Sequence, residues 1–275
     1  MVKLITINKY NMKINKILYL ILASFLLVFT ACEPIVDETN LSDSTDVAGV
    51  ELVAKQSTPG GNKVTISMVT PGITGYWDYN LGTALTNETT IVYPIPGKST
   101  FTYVGTLGSQ FFTKTIDIQI DQLDTPLDQD WYDLVSENTT AGKTWVFDGA
   151  AGSGKFWWFM SPPDNTDSAM SAWWNAGDCC PPVDASGKMH FDLDGAANYN
   201  HYATTSSTPT KGSFVLDVTN KKLIIKDSKI LGYEAASPDN IYSIITLTED
   251  KLVLYVPNKN VKDPGTGWTF VFRPE

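Results

Sequence analysis

Short runs of alternating apolar and polar residues, separated by turns rich in Pro and Gly, fill this chain from residue 50 to its last residues. Residues 113–120 alternate strictly at every second position, which is the period of a strand that buries one face. Few segments carry the 3.6-residue period of a helix. We therefore predict an all-β protein.

The strand-like runs fall into two groups. The runs between residues 47 and 121 are short and closely spaced, which predicts a small sandwich. The later runs predict a larger two-sheet β-sandwich. Between the groups, Asp128 precedes apolar residues at helical spacing and predicts a short helix. The later candidate strands are residues 189–193, 212–218, 222–226, 242–246, 251–256 and 268–272.

These patterns divide the chain into five parts. The stretch that begins at Glu33 is polar and acidic and has no apolar period, so we expect it to be a flexible tether. The predicted boundaries are 1–31 for a leader, 32–46 for the tether, 47–121 for the first sandwich, 122–140 for a linker with the short helix, and 141–275 for the second sandwich.

The leader has the features of a secretory signal. Four Lys residues and no acid precede an apolar run over residues 17–29, which is too short for a spanning helix. The following Thr30-Ala31-Cys32 step resembles a bacterial lipobox, and this resemblance implies that Cys32 is lipidated and anchors the protein to a membrane. An ordinary signal peptide that ends near a cysteine is the alternative. The acids from Glu33 resemble the export signals of Bacteroidetes surface lipoproteins, so we expect an outer-membrane, cell-surface location.

Net charge excludes one class of ligand. The chain has 30 acidic and 20 basic residues, and four of the basic residues lie in the leader. Nucleic-acid binding depends on clustered Lys and Arg that displace phosphate counterions. Only Lys221 and Lys222 are adjacent basic residues in the part that follows the leader. We therefore expect no nucleic-acid partner.

Two adjacent tryptophan pairs, Trp157-Trp158 and Trp173-Trp174, lie close together among prolines. A folded domain can bury one such pair, so we expect some of these indoles to face solvent, where they need a ligand. A flat apolar ring without neighbouring positive charge suits the C–H face of a sugar. Neighbours in a strand point to opposite faces, and we expect Trp157 to face outward and Trp158 inward.

The second pair is followed by polar groups that can bond hydroxyls. Asn175 and Asp178 supply directional polar atoms beside the stacking rings, as a glycan site needs. For each indole of this pair the alternative is a core residue that anchors the loop, and Asn and Asp are also ordinary in loops. The candidate glycan-binding residues are Trp157, Trp173, Trp174, Asn175, Asp178 and Tyr199.

Cys179 and Cys180 are neighbours in sequence. Adjacent Cα atoms are about 3.8 Å apart, which is below the usual disulfide span of about 4.4–6.8 Å. An exported protein meets an oxidising compartment, so a strained vicinal disulfide is one interpretation. Two free, buried thiols are the other. The sequence leaves both open.

We expect no cofactor. Asp192, Asp194 and Asn198 offer oxygen ligands, so a structural calcium ion is an alternative. These residues lack the spaced Glu of an EF-hand, and alternation along the strand more simply places both aspartates on a solvated face.

Part of the first sandwich resembles the PKD family of immunoglobulin-like domains. The resemblance lies in Gly75-Tyr76-Trp77-Asp78-Tyr79 and in the Pro-Gly step before the aromatic strand over residues 101–104. Asn80-Leu81-Gly82 replaces the Gly-Asp-Gly turn of that family. The resemblance implies a spacer domain with Trp77 in its core.

The second half resembles the C-terminal domain of Bacteroidetes surface lipoproteins that belong to starch-utilisation-type (Sus-like) polysaccharide uptake systems. Members hold polysaccharide, often a β-glucan such as laminarin. The resemblance implies two partners, an outer-membrane porin and a companion glycan-binding lipoprotein. It is carried by residues 143–148, 173–176, 189–195 and 252–255. It implies that the larger β-sandwich resembles a carbohydrate-binding module.

Together these features predict a glycan-binding protein that is not an enzyme. A glycosidase needs two carboxylates at a defined separation, and the second half contains few glutamates. A polysaccharide lyase or glycoside hydrolase is the alternative, with His190 or His201 acting beside Tyr199 or Tyr202. An adhesion or scaffold protein without a sugar site is the second alternative.

Overall fold

The computed structural model describes residues 49–107, 110–161, 174–232, 239–257 and 266–275. The leader and the whole tether, including the lipobox-like Cys32, lie outside these residues, so the predictions made for them stay open. The described residues belong to one compact unit, Ser44–Glu275. Strands are the predominant secondary structure of the described residues, which confirms the all-β class.

The first seven strands form two facing sheets. One sheet has the order β1-β2-β5 and the other the order β4-β3-β6-β7, and all pairs are antiparallel. Trp77 lies between the sheets, fully buried and edge-on to Tyr103 with centroids 5.2 Å apart. Its predicted place in the core is confirmed. The strands are β1 (Leu52–Gln56), β2 (Lys63–Met68), β3 (Thr74–Asp78), β4 (Thr83–Ala84), β5 (Glu88–Val92), β6 (Gly97–Leu107) and β7 (Gln110–Ile120).

The predicted linker helix is present as α1 (Gln129–Val135). The Asp128 carboxylate accepts a hydrogen bond from the backbone N–H of Asp130, 3.0 Å away, and so caps the helix. Trp145 Nε1 donates to the carbonyl of Leu134 at 2.9 Å, which fastens the helix to the following strands. None of the helices in the described residues is long and apolar enough to span a membrane.

The second group of strands forms one continuous antiparallel sheet with the order β15-β14-β13-β12-β11-β10-β8-β16-β9. Because β16 also pairs with β15, the sheet closes on itself into an eight-stranded, barrel-like ring, and β9 extends it beside β16. The strands are β8 (Lys143–Phe147), β9 (Trp158–Ser161), β10 (Lys188–Asp192), β11 (Asn198–Tyr202), β12 (Thr210–Asp217), β13 (Lys222–Lys226), β14 (Ile241–Thr248), β15 (Lys251–Pro257) and β16 (Gly267–Pro274).

The closed sheet differs from the two separate sheets that the sequence predicts. Alternation along each strand indicates which side chains face the interior, but the pair that closes the ring joins Phe147 to Phe272, which are distant in sequence. Opposite walls of the ring face each other as the sheets of a sandwich do. Eight strands leave an interior that side chains can fill. The exact domain boundaries stay predictions.

The connections of the closed sheet alternate between its two ends. Helix α1 lies at one end, where Lys143 Nζ donates to the carbonyls of Asp133 at 2.6 Å and of Glu249, in the β14–β15 turn, at 3.0 Å. We call the other end the loop end, because it carries the connections that follow β9, β11, β13 and β15. Its described parts are residues 174–187, which include α2 (Ala176–Cys179), 203–209, 227–232, 239–240 and residue 266.

Candidate functional site

Three tryptophans meet at the loop end. Met160 of β9 pairs with Trp268 of β16 on one side and with Trp174 on the other. The Met160 N–H donates to the Trp174 carbonyl at 2.9 Å, and the Trp174 N–H donates back at 3.3 Å. Paired residues share a face, and so do residues two apart in a strand, so Trp158 projects to the same face as Trp174 and Trp268.

The rings of these residues form a graded surface, which we call the tryptophan cluster (Trp158, Trp174 and Trp268). Trp158 and Trp268 stack with centroids 5.2 Å apart and an angle of 19°. Trp174 meets Trp268 edge-on at 6.4 Å and 64°. The exposed fraction is 7% for Trp158 and 46% for Trp174, while Trp268 is partly buried. The cluster therefore runs from the interior to solvent.

The prediction that Trp157 faces solvent is wrong. Its side chain is fully buried and meets Phe147 edge-on at 4.9 Å. The indole lies against the backbones of Gly149 and Gly177, where an added Cβ would come within 2.6 and 2.4 Å of it. The alternation rule failed because Trp157 precedes β9, which begins at Trp158. Trp158 faces inward, as predicted.

Tyr199 is also not a surface residue, so its predicted glycan contact is wrong. It is fully buried, packs against Phe191 at 4.8 Å, and donates its hydroxyl to the Lys229 carbonyl at 2.7 Å. Burial, followed by the charges of Tyr242 and Asp184, raises the pKa of Tyr199 well above its usual value. Alternation along β11 places Tyr199 on the inner face together with His201.

The remaining predicted glycan residues lie around Trp174, apart from Trp173, which is outside the described residues. Asn175 Nδ2 donates to the Lys155 carbonyl at 2.9 Å, whereas Asn175 Oδ1 is buried and has no hydrogen-bond partner within the described structure. Asp178 is exposed on α2. The structure thus brings Trp174, Asn175 and Asp178 together beside the cluster.

Trp268 was not among the predicted ligand residues, although residues 268–272 were predicted to form a strand. The signal that identifies it is the period-two series Trp268, Phe270 and Phe272, whose first member lies next to the loop end. Phe270 and Phe272 are buried in the interior. Trp268, at the end of this row, is the only one of the three that is partly open to solvent.

The buried carboxylate of Asp184 holds a segment that packs against the tryptophan cluster. The Asp184 carboxylate bonds His201 Nε2 at 3.1 Å and accepts the backbone N–H of Gly232 at 2.9 Å. Gly232 has a φ of +78°, and a Cβ there would lie 2.9 Å from Phe270 and 3.2 Å from Trp158 Nε1. Asp184 therefore connects the loop after α2 to β11 and to the segment that packs against Trp158.

Trp158 Nε1 itself is an unsatisfied donor. It is buried and has no hydrogen-bond partner in the part of the chain that the structure describes. A buried donor without a partner destabilises the folded protein, unless a ligand or a water accepts its hydrogen bond.

The two adjacent cysteines are free thiols, and both are exposed. They therefore match neither a closed vicinal disulfide nor a buried pair. Cys179 Sγ donates a hydrogen bond to the Ala176 carbonyl, 3.8 Å away. The hydrogen bond between the two thiols, followed by desolvation, raises the pKa of Cys179.

The charges near the cluster do not favour an anionic ligand. Residues 174–187 contain Asp178 and Asp184 and no Lys or Arg. Lys155 adjoins Asn175 through its carbonyl, but its ammonium group pairs with Asp148 Oδ1 at 2.8 Å. A neutral ligand fits this balance.

The predicted alternative calcium ligands form bonds within their own turn. Asp192 Oδ1 accepts the backbone N–H of Asp194 at 3.0 Å and the amide of Asn198 at 2.7 Å. Within the described ranges, no group of three His, Cys, Asp or Glu residues is placed to hold a metal ion.

The two histidines of the alternative lyase site lie on opposite faces of the sheet. His201 is buried with Asp184, and Tyr199 faces the interior. His190 lies on the outer face of the sheet, where Nδ1 contacts Thr144 Oγ1 at 3.0 Å. Comparison of the chain with protein-family models and with curated proteins gave no match.

Proposed function

We propose that this protein binds a neutral polysaccharide at the tryptophan cluster. The observation that carries the proposal is the half-exposed indole of Trp174, which is held edge-on against Trp268 by backbone pairing with Met160. A rigid, exposed aromatic ring loses little entropy when a sugar ring stacks on it. A large apolar side chain in this position is typical of a binding surface.

Polar groups around the rings support a carbohydrate ligand. Asp178 offers exposed carboxylate acceptors, whereas Asn175 Oδ1, which has no partner among the described residues, is buried. Sugar hydroxyls donate to such acceptors, and these contacts fix the orientation of a stacked ring. A β-glucan such as laminarin is the first candidate ligand, because of the resemblance of the second half to Sus-like surface lipoproteins.

The same resemblance supports a cellular setting. We propose that lipidated Cys32 anchors the protein to the outer membrane with the tether and first sandwich acting as spacers. The closed sheet would then present the tryptophan cluster at the cell surface. Bound polysaccharide would pass to an outer-membrane porin with the help of a companion glycan-binding lipoprotein.

Affinity gel electrophoresis tests the binding proposal. The protein is run through gels that contain laminarin, mixed-linkage glucan, xylan or alginate. We expect retardation by at least one neutral glucan, no retardation by anionic alginate, and no release of reducing ends or unsaturated products. Migration unaffected by every neutral glycan would overturn the proposal, and product release would favour the lyase or hydrolase alternative.

A variant pair assigns the binding to the cluster. Trp174→Ala is expected to weaken retardation about tenfold, which corresponds to roughly 1.4 kcal/mol. Phe111→Ala is the matched control, because Phe111 on β7 has the same exposed fraction of 46% and lies outside the closed sheet. Equal weakening of retardation by the two substitutions would show that the tryptophan cluster is not the binding site.

A further inference from the structure

Cys179 and Cys180 form an exposed dithiol at the end of α2. Cys179 is the last residue of that helix and Cys180 follows it, and both side chains are open to solvent. Pro181 and Pro182 come next in the chain. A reagent can therefore reach both sulfur atoms without unfolding of the protein.

The helix that carries the dithiol is held firmly at its start. Ala176 is buried, and Gly177 lies so close to Trp157 that an added Cβ would come within 2.4 Å of the indole. At the other end, the Cys180 N–H donates to the Ala176 carbonyl at 2.9 Å. A change at the dithiol must therefore be absorbed at the end of the helix rather than at its start.

We propose that Cys179–Cys180 is a reversible modification site, at which a disulfide oxidant converts the two thiols into a ring closed by a disulfide across their shared peptide bond. A protein oxidoreductase or a low-molecular-weight disulfide supplies the same chemistry. Adjacent Cα atoms lie about 3.8 Å apart, below the usual disulfide span. The ring is strained for this reason, and strained or exposed disulfides are the readily reduced ones.

The exchange balances in two steps. The Cys180 thiolate attacks one sulfur of the oxidant, forms a mixed disulfide and releases the other sulfur as a thiol. The Cys179 thiol then loses its proton to solvent and attacks Cys180 Sγ, which releases the second thiol of the oxidant. The oxidant gains two electrons and two protons, and the protein loses them. Cys180 attacks before Cys179 because the raised pKa of Cys179 keeps the Cys179 thiol protonated up to a higher pH.

The ring would act on the glycan site, and this step rests on the proposed function. Closing it removes the Cys179 thiol donor from the Ala176 carbonyl and twists the peptide whose N–H bonds the same carbonyl. Asp178 and Asn175 are part of this short segment. Oxidation is therefore expected to change the affinity of the site for glucan several-fold.

The chemistry is tested without any glycan. The mature chain carrying Cys32→Ser, which leaves only these two thiols, is equilibrated in glutathione buffers from reducing to oxidising and then alkylated. Intact mass spectrometry is expected to show a direct change from two alkylated thiols to a species that has lost two hydrogen atoms and carries no label. Reduction is expected to restore both thiols.

Two single variants sharpen the result. Cys179→Ser and Cys180→Ser each leave one thiol, which is expected to stop at a stable mixed disulfide with glutathione. Two free thiols, or two separate glutathione adducts, in the oxidising buffer with the parent chain would overturn the proposal. Ring formation without any change in glucan retardation would leave the modification site standing and remove only its link to binding.

Discussion

Met160 pairs through its backbone with Trp174, and this pairing holds an exposed indole beside Trp268, the partly exposed end of an aromatic row. Ordinarily a loop tryptophan moves with its loop. Here its backbone is bonded as in a strand, so its ring has a fixed direction relative to Trp268. A fixed ring is suited to binding because little freedom remains to be lost.

Trp157 and Phe156 are expected to behave oppositely when truncated. Trp157→Ala removes a fully buried indole, and we expect a loss of about 3–5 kcal/mol in the free energy of unfolding. Phe156→Ala removes a half-exposed ring, and we expect a much smaller loss. Thermal and denaturant unfolding measure both. A similar, small loss in the two variants would contradict the buried position of Trp157.

Gly177 tests the same contact from the other side. A methyl group at this position meets the Trp157 indole at 2.4 Å, so we expect Gly177→Ala to destabilise the protein by about 1–3 kcal/mol. The smaller ring of Trp157→Phe relieves the clash, so the double variant is expected to be less destabilised than the sum of the singles. Strict additivity in denaturant unfolding would argue against the contact.

Tyr199 gives the stability of the protein a dependence on alkaline pH. Its folded pKa is raised, so its contribution is fully present below the unfolded Tyr pKa of about 10 and is lost as the pH rises through the folded value. Tyr199→Phe removes the bond to the Lys229 carbonyl and is expected to cost about 1 kcal/mol at pH 7.

Above pH 10 the melting temperature of the Tyr199→Phe variant should fall less steeply than that of the parent protein. Tyr79, whose pKa is also raised by burial, serves as a control, because it is only partly buried and its replacement should change the slope less. Parallel alkaline profiles for the parent and the Tyr199→Phe variant would contradict the assignment.

Asp184 is expected to determine the order of the loop end. Asp184→Ala leaves both His201 Nε2 and the Gly232 N–H without their acceptor, and loss of one member of a buried polar pair costs about 3–5 kcal/mol. Asp184→Asn keeps an oxygen for Gly232 and should cost less. Limited proteolysis and hydrogen exchange around residues 227–232 are the measurements. Protection in Asp184→Ala equal to that in the parent protein would show that the carboxylate does not hold this segment.

Several strands of the second half could be predicted from the sequence because they bury one face. Residues 222–226 show this well, since the buried side chains of Leu223 and Ile225 alternate with less buried neighbours. Closure of the sheet could not be predicted in the same way. It depends on pairing between β8 and β16, and local alternation contains no information about which distant strand becomes the neighbour.

The candidate site was predicted only in part. Trp174, Asn175 and Asp178 follow one another closely in sequence, and the structure keeps them together. The prediction for Trp157 failed because Trp157 lies just before β9, where alternation does not apply. The prediction for Tyr199 failed because polar and aromatic residues alternate along β11. The inner face of β11 also carries His201, which the interior accepts only because Asp184 bonds it.

Pairing of Phe147 with Phe272 has a consequence for how the chain reaches its native state. One edge of β8, the first strand of the ring, stays unpaired until β16 forms, because β16 joins β8 to β15. Contacts between residues so distant in sequence carry a large loop-closure entropy and slow the search for the native arrangement. A chain truncated before β16 is therefore expected to lack the strand pairs that close the ring.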